Sequence, residues 1–443
     1  MNNYFLLSIA IFSLFLIYKI LWIKNFHNVF FFGLCYQWLA VNVKVFYALI
    51  LNLNFENLHQ YSENIIQAWA YSNICILVLA LGIRISIRKK KYDSPQRIFN
   101  VNLKSFSNYY IGLSILTLTI LNPKIYPSSI QQILFQIIYL KYVLFFIGFV
   151  NILQKRDFKN RLMYYFVFEF ILSFSGYFSS FKDFFFLLFL AYLYSNSKKI
   201  SGASVFVIAF LVIIAINFGI VWSAVKEDYR FFQTKGEKTQ NVSRSTGESL
   251  AYLSDKFSSF NSAQYQDGLE KLIDRIEYID YFSASIGYIP SHKDHENGNL
   301  LLDAFLFGFQ PRFLFPDKKI LDDSKFTTEY TGIQVAGFDE GTSICLGYAA
   351  NSYIDFGDFF FMSPLVWGIF IGYLYNKLYK TVKSDLWGLS ITFPLFFMVI
   401  NFENEFYKLI PPLIYYFIVA YLFLKYGAKY LIINSIENKR INV

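Results

Sequence analysis

Long apolar runs separated by short polar connections dominate the chain from residue 3 to 223 and again from 359 to 428. A helix needs roughly 20 apolar residues to cross about 30 Å of hydrocarbon. On that rule the pattern predicts spans at 3–22, 29–52, 64–87, 107–123, 131–153, 162–178, 183–197, 203–223, 359–378, 386–402 and 409–428. The runs 162–178 and 183–197 are short and FSSFKD separates them thinly, so half-helices or one re-entrant hairpin are the alternatives there. The expected fold is all-α: a polytopic integral membrane protein of about eleven transmembrane helices. A helical extracytoplasmic cap lies between the eighth and ninth. The expected divisions are 1–223, 224–358 and 359–443.

The segment 224–358 is too long for a plain connection, because loops beyond about 15 residues are usually functional or disordered. Within it Leu269, Leu272, Ile273, Ile276 and Ile279 recur at helical spacing, which predicts an amphipathic helix over 266–283. Leu250, Leu253 and Phe257 predict a second, shorter helix, and NVSRSTGES reads as a flexible loop. No internal repeat suggests the inverted halves of many secondary transporters.

Basic residues set the expected orientation. Arg84, Arg88–Lys91, Arg97 and Lys104 follow the third span; Lys155, Arg156, Lys159 and Arg161 the fifth; Lys198 and Lys199 the seventh; Lys377, Lys380 and Lys383 the ninth. Lys425, Lys429, Lys439 and Arg440 form the tail, whereas the opposite short loops hold only Lys124, Lys182 and Lys408. Alternation of eleven helices then places the N-terminus outside, the C-terminus in the cytoplasm and 224–358 outside. The opening MNNYFLLSIAIFSLFLIYKI has no basic n-region and no small-residue cleavage site, so it reads as a retained first helix.

Composition agrees: 55% of residues are hydrophobic and 16% charged, against about 25% charged in soluble domains. The net charge of +9 sits mostly in short loops, which makes it a topogenic signal rather than a nucleic-acid footprint, and no nucleic-acid partner is expected. Phe (53) and Tyr (35) fit codon bias or lipid packing without invoking sugar stacking. Cys35 and Cys75 lie in apolar runs and Cys345 alone in the large segment, so no disulfide framework is implied. Phosphate-loop, dinucleotide-binding, CxxC and HExxH motifs do not occur.

Three charges fall inside predicted spans: Lys44, Lys141 and Glu169. Intramembrane charges are usually paired or functional, and Lys141 and Glu169 lie at similar depth on consecutive spans, as a pair would. Beyond the eighth span come Lys226, Glu227, Asp228 and Arg230, then Arg275 on the amphipathic helix, then FQPRFLFPDKK with Arg312, Asp317, Lys318 and Lys319. Pro311 and Pro316 stiffen the last string. Phe313, Leu314 and Phe315 between its cations suit a loop pressed on a membrane surface. Arg matches phosphate in two-point contacts and Lys as a point charge, so the string is a candidate site for a lipid-linked pyrophosphate. Asp339 and Glu340 are adjacent carboxylates, either of which could serve as a base if burial raised its pKa. His292 and His295 lack further ligands, and no metal or cofactor is predicted.

LIDRIEYID, then FQPRFLFPDKK, then TSICLGYAANSYIDFGDFF leading into a predicted span, resemble the oligosaccharide repeat-unit polymerases, the O-antigen polymerase (Wzy-type) family of bacterial envelopes. The likeness covers roughly 220–375. Its most specific element is P-R-x-L-x-P-D-K, and SSFKD at 179–183 is similar to a Ser-rich basic turn of that family. Where the family often has Pro after the D-K pair, this chain has Lys319.

The resemblance implies glycosyl transfer at the outer face of the bacterial inner membrane, without nucleotide sugar or metal. A glycan leaves one undecaprenyl pyrophosphate and joins the sugar of another lipid-linked repeat unit. Membrane lipid, a flippase and a chain-length regulator are the implied partners. Arg230, Arg275, Arg312, Lys318 and Lys182 would hold the pyrophosphate, and Arg312, Glu340 and Asp339 are the expected catalytic residues. The rival expectations are an O-antigen ligase, another polyprenyl-phosphate-dependent glycosyltransferase, and a flippase or transporter of lipid-linked glycans.

Overall fold

Every regular element among the described residues is helical. The structure, a computed structural model, describes residues 2–22, 29–87, 103–120, 125–154, 159–172, 181–195, 202–237, 243–337, 342–382 and 385–427. The first eight helices are α1 (Asn3–Leu21), α2 (Val29–Leu51), α3 (Ile65–Ser86), α4 (Leu103–Ile120), α5 (Ser128–Gln154), α6 (Lys159–Leu172), α7 (Phe181–Ser195) and α8 (Gly202–Gln233). A run of shorter helices follows: α9 (Thr246–Ser258), α10 (Ser262–Ile276), α11 (Asp280–Tyr288), α12 (Asn299–Gly308), α13 (Asp323–Thr331) and α14 (Tyr348–Phe356). The chain closes with α15 (Met362–Thr381), α16 (Asp385–Thr392), α17 (Pro394–Val399) and α18 (Phe406–Leu422). Among the described residues six helices are long and apolar enough to cross a membrane: α1, α2, α3, α5, α8 and α18. The protein is membrane-embedded and all-helical.

Between helices in lipid, small residues and buried polar side chains replace the hydrophobic effect as glue. Gly82 of α3 faces Gly368 of α15. A Cβ on Gly82 would stand 2.5 Å from the Leu365 carbonyl oxygen, and one on Gly368 2.5 Å from that of Leu79. With Gly372 one turn on, α15 carries a small-xxx-small face that lets the two backbones touch. On the other side of α3, Asn42 donates to Asn73 Oδ1 (3.1 Å) and accepts from Trp69 Nε1 (2.9 Å). Trp38 Nε1 donates to the Ala10 carbonyl (2.8 Å), which ties α1 to α2. The expected Lys141–Glu169 pair forms between α5 and α6 at 2.7 Å, with Ser114 of α4 donating to the same carboxylate (2.9 Å).

Several boundaries differ from the sequence expectation. The helix expected to end at 223 runs on to Gln233, carrying Lys226 to Arg230 on its last turns. The amphipathic helix expected over 266–283 is two helices. Glu277 adopts an extended conformation and its side chain accepts the Ile279 N–H at 2.7 Å, which replaces the helical bond and turns the chain. The span expected at 386–402 is interrupted before Pro394, which has no N–H to continue the helix. NVSRSTGES is not wholly loop: Ser245 and Glu248 form a capping box that starts α9, a signal of the S-x-x-E type.

Candidate functional site

Lys44 lies on α2 about 10 Å of helical rise from its end at Leu51. Opposite it, Asp274, Glu277 and Asp280 are spaced by three residues, so the end of α10, the turn and the start of α11 present three carboxylates to one ammonium. Lys44 Nζ is 3.2 Å from Asp274, 3.4 Å from Glu277 and 3.5 Å from Asp280. From the α2–α3 connection His59 adds its Nδ1, 3.1 Å from Asp280 Oδ1 and 3.9 Å from Glu277 Oε1. The Asn64 N–H donates to Ser283 Oγ (3.2 Å), so the α2–α3 connection and α11 are held together on either side of the dyad.

The environment separates these carboxyls. Burial, with the Asp280 charge beside it, pushes Glu277 well above the ordinary carboxylic-acid range. Burial also works against Asp280, but the hydrogen bond from His59 and the charges of His59 and Lys44 outweigh it and hold Asp280 below its usual value. Burial lowers His59 against the pull of Asp280. A protonated Glu277 therefore stands next to an ionised Asp280, and a pair of groups pushed apart in this way marks an acid and a base. His59 Nε2 is buried with no partner among the described residues. His59, Glu277 and Asp280 offer ligand atoms within 4.8 Å of one another, a spacing that could hold a metal ion. The Lys44 ammonium already sits against both carboxyl groups, as counter-charge to Asp280. A cleft of about 400 Å³ lies on the residues that follow His59 and Asp280 in the chain, lined by Tyr61, Asn64, Ser283, Tyr288 and His292 among others but not by the dyad itself.

Tyr278 joins this cluster to a second. Its hydroxyl donates to the Cys345 carbonyl (2.6 Å) and accepts the Cys345 N–H (3.0 Å). Next to Cys345, Lys408 pairs with Asp323 and reaches Ser343 Oγ (3.3 Å) and Cys345 Sγ (3.2 Å). Glu405, just before α18, accepts the buried Leu346 N–H at 3.1 Å. Burial pushes Glu405 up to about 8 and the Cys345 thiol up to about 12.

The residues singled out from sequence are distributed differently. Arg312 is half-buried, its guanidinium 3.4 Å from the Lys319 carbonyl. Lys318 is buried: its ammonium donates to the carbonyls of Phe307 (2.5 Å) and Gln310 (2.7 Å) and lies 3.3 Å from the Phe307 ring centroid. It thus closes the C-terminus of α12, where a cation satisfies orphan carbonyls and the helix dipole. Burial, with Arg312 nearby, lowers it to about 8. Arg275 is exposed on the last turn of α10, Arg230 is half-buried near the end of α8, and Lys182 lies in the first turn of α7. Asp339 and Glu340 lie outside the described residues. His292 stacks on Tyr288 and bonds Ser291, whereas His295 bonds the carbonyls of Tyr353 and Ile354, so the two histidines serve different contacts.

Sequence reasoning missed Glu277, Asp280, His59 and Glu405 as site residues. The signal for the first two was present in DRIEYID, whose carboxylates recur every third residue, together with an intramembrane lysine needing a partner. His59 carried none.

A family model described as a domain of unknown function (DUF8712) matches residues 29–435. No curated protein and no solved structure matches the chain.

Proposed function

The chain belongs to the DUF8712 family, whose description assigns no activity, and from its own residues we propose that it is a polymerase of lipid-linked oligosaccharide repeat units. In this reading about eleven helices cross the bacterial inner membrane, with the N-terminus outside and the C-terminus in the cytoplasm. The α9–α14 segment then lies as a cap on the outer face. The observation that carries the reading is the Asp280–His59 dyad beside a cleft of tyrosine, asparagine, serine and histidine side chains. Rings and short polar groups together suit a ligand with apolar faces and many hydroxyls, which is what a sugar offers.

The acceptor hydroxyl of one repeat unit gives its proton to Asp280, directly or through His59, and its oxygen bonds the anomeric carbon of the donor glycan. The bond from that carbon to pyrophosphate breaks, and the polyprenyl pyrophosphate leaves with the electron pair. Lys44 keeps Asp280 ionised in a buried place where a lone carboxylate would take up a proton. Fixed cations near the leaving group lower the barrier by stabilising its charge, and Arg312, Arg275 and Arg230 are the cations assigned to it.

The test is genetic. Deleting the gene in its host should reduce a ladder of surface polysaccharide on a gel to single capped repeat units, and the wild-type chain should restore the ladder. Asp280→Asn, present at wild-type level, should not restore it. An unchanged ladder in the deletion strain sinks the polymerase reading. Long polymer retained on the lipid carrier points instead to a ligase, and lipid-linked units trapped in the cytoplasm to a flippase.

A further inference from the structure

Residues 299–322 leave from and return to one level of the fold. At the start of α12, Asp355 of α14 accepts the Leu300 and Leu301 N–H groups, each at 2.9 Å. At the far end Asp323 opens α13 and pairs with Lys408, in the first turn of α18. Between these anchors α12 runs alongside α18 and touches α15. A Cβ on Gly308 would stand 2.6 Å from Ile414, and Phe305 packs edge-on against Phe370 at 5.1 Å. Ile414 and Phe370 each lie eight residues into their helices, about 12 Å of rise from the end where both anchors sit. Two tight turns follow, in which Leu314 and Phe315 N–H both reach the Pro311 carbonyl at 3.0 Å and Lys318 N–H reaches the Phe315 carbonyl at 3.2 Å. The chain then climbs back to Asp323.

Large apolar side chains dominate the surface of this hairpin, with Asp303, Gln310, Asp317 and Lys319 exposed among them. Leu302, Leu306, Phe309, Phe313, Leu314 and Phe315 are each 45–65% exposed, a contiguous display that soluble surfaces seldom carry. It continues beside α18, one of the helices long and apolar enough to cross a membrane. The carbonyls at the end of α12 are handled as lipid requires. Backbone carbonyls in hydrocarbon need a partner within the protein, and Lys318 supplies one to the carbonyls of Phe307 and Gln310 at the end of α12.

We infer that residues 299–322 form a re-entrant hairpin seated in one phospholipid leaflet, with Phe309, Phe313, Leu314 and Phe315 among the acyl chains. Lys319 reaches from the hairpin to the phosphates of that leaflet, as long basic side chains do near an interface. The placement follows from the anchors, the depth along α18 and the exposed face, and it stands whether or not the chain is a polymerase.

The test uses the full chain with Cys35, Cys75 and Cys345 replaced by Ala, carrying a nitroxide label at Phe309→Cys or Leu314→Cys. It is reconstituted into phosphatidylcholine–phosphatidylglycerol vesicles, and a label at Lys325→Cys, exposed on α13, serves as the aqueous reference. Labels at 309 and 314 should collide with oxygen severalfold more than with a water-soluble nickel chelate, with the ratio reversed at 325. Equal nickel accessibility at all three positions overturns the inference. The unmodified chain gives an independent measurement by hydrogen–deuterium exchange in nanodiscs. Amides of 309–317 should exchange at least tenfold more slowly than those of 291–298, and similar rates would also overturn it.

Discussion

Glu405→Gln should stabilise the protein, by an amount that grows with pH. The Glu405 side chain is 3% exposed and its one described hydrogen bond comes from the Leu346 N–H. Burial raises its pKa to about 8 from 4.5, with Asp323 adding to the rise and the Leu346 bond and Lys408 opposing it. Because the folded value lies above the unfolded one, this carboxyl contributes stability that is fully present below pH 4.5 and is lost as pH rises to about 8. The whole difference is about 5 kcal/mol. Between pH 6 and 9 the wild type should lose about 3 kcal/mol through this one group. Gln keeps the shape and the acceptor for Leu346 but has no proton to gain on folding. The variant should therefore exceed the wild type by about 3 kcal/mol at pH 7, and by more at pH 9. Glu405→Ala should melt below Glu405→Gln at every pH, since a buried N–H left without an acceptor costs about 1–3 kcal/mol. Melting followed by tryptophan fluorescence in detergent, at one scan rate from pH 6 to 9, measures all three chains. A Gln variant that melts at or below the wild type, with a gap independent of pH, would show that Glu405 is ionised in the fold and refute the argument from burial.

Three further outcomes follow from named contacts. Lys44→Met should destabilise by about 3–5 kcal/mol, because the ionised Asp280 loses its counter-charge in a buried place; a melting temperature equal to wild type would mean the cluster is solvated. Gly368→Val should block the approach of α15 to α3, where even a Cβ meets the Leu79 carbonyl at 2.5 Å, and should leave little folded protein by size-exclusion chromatography. Arg312→Ala, in the complementation assay, should leave single capped repeat units at wild-type protein level; normal long-chain polymer would remove Arg312 from the mechanism.

Apolar run length and the rare charges within it determined the membrane-embedded, all-helical class, because hydrocarbon forces each backbone segment crossing it to satisfy itself as a helix. They also predicted closely where α1, α2 and α3 start and stop, and that Lys141 and Glu169 would pair, since both are needed to neutralise each other at similar depth. The spacing of Leu250, Leu253 and Phe257 marked α9, although the capping box that starts it lies in a stretch that read as loop. The candidate site was another matter. His59 reaches Asp280 across more than 200 positions of sequence, and Glu405 reaches Leu346 across 59. Periodicity reports which face of a helix is apolar, not which distant loop lies against it. The same limit applied to Lys318, whose charge suggested an open phosphate ligand until packing placed two carbonyls on its ammonium. Only the tertiary structure could decide these roles, because desolvation depends on the neighbours a side chain acquires in space, and it is desolvation that divides a structural cation from a binding one and an acid from a base.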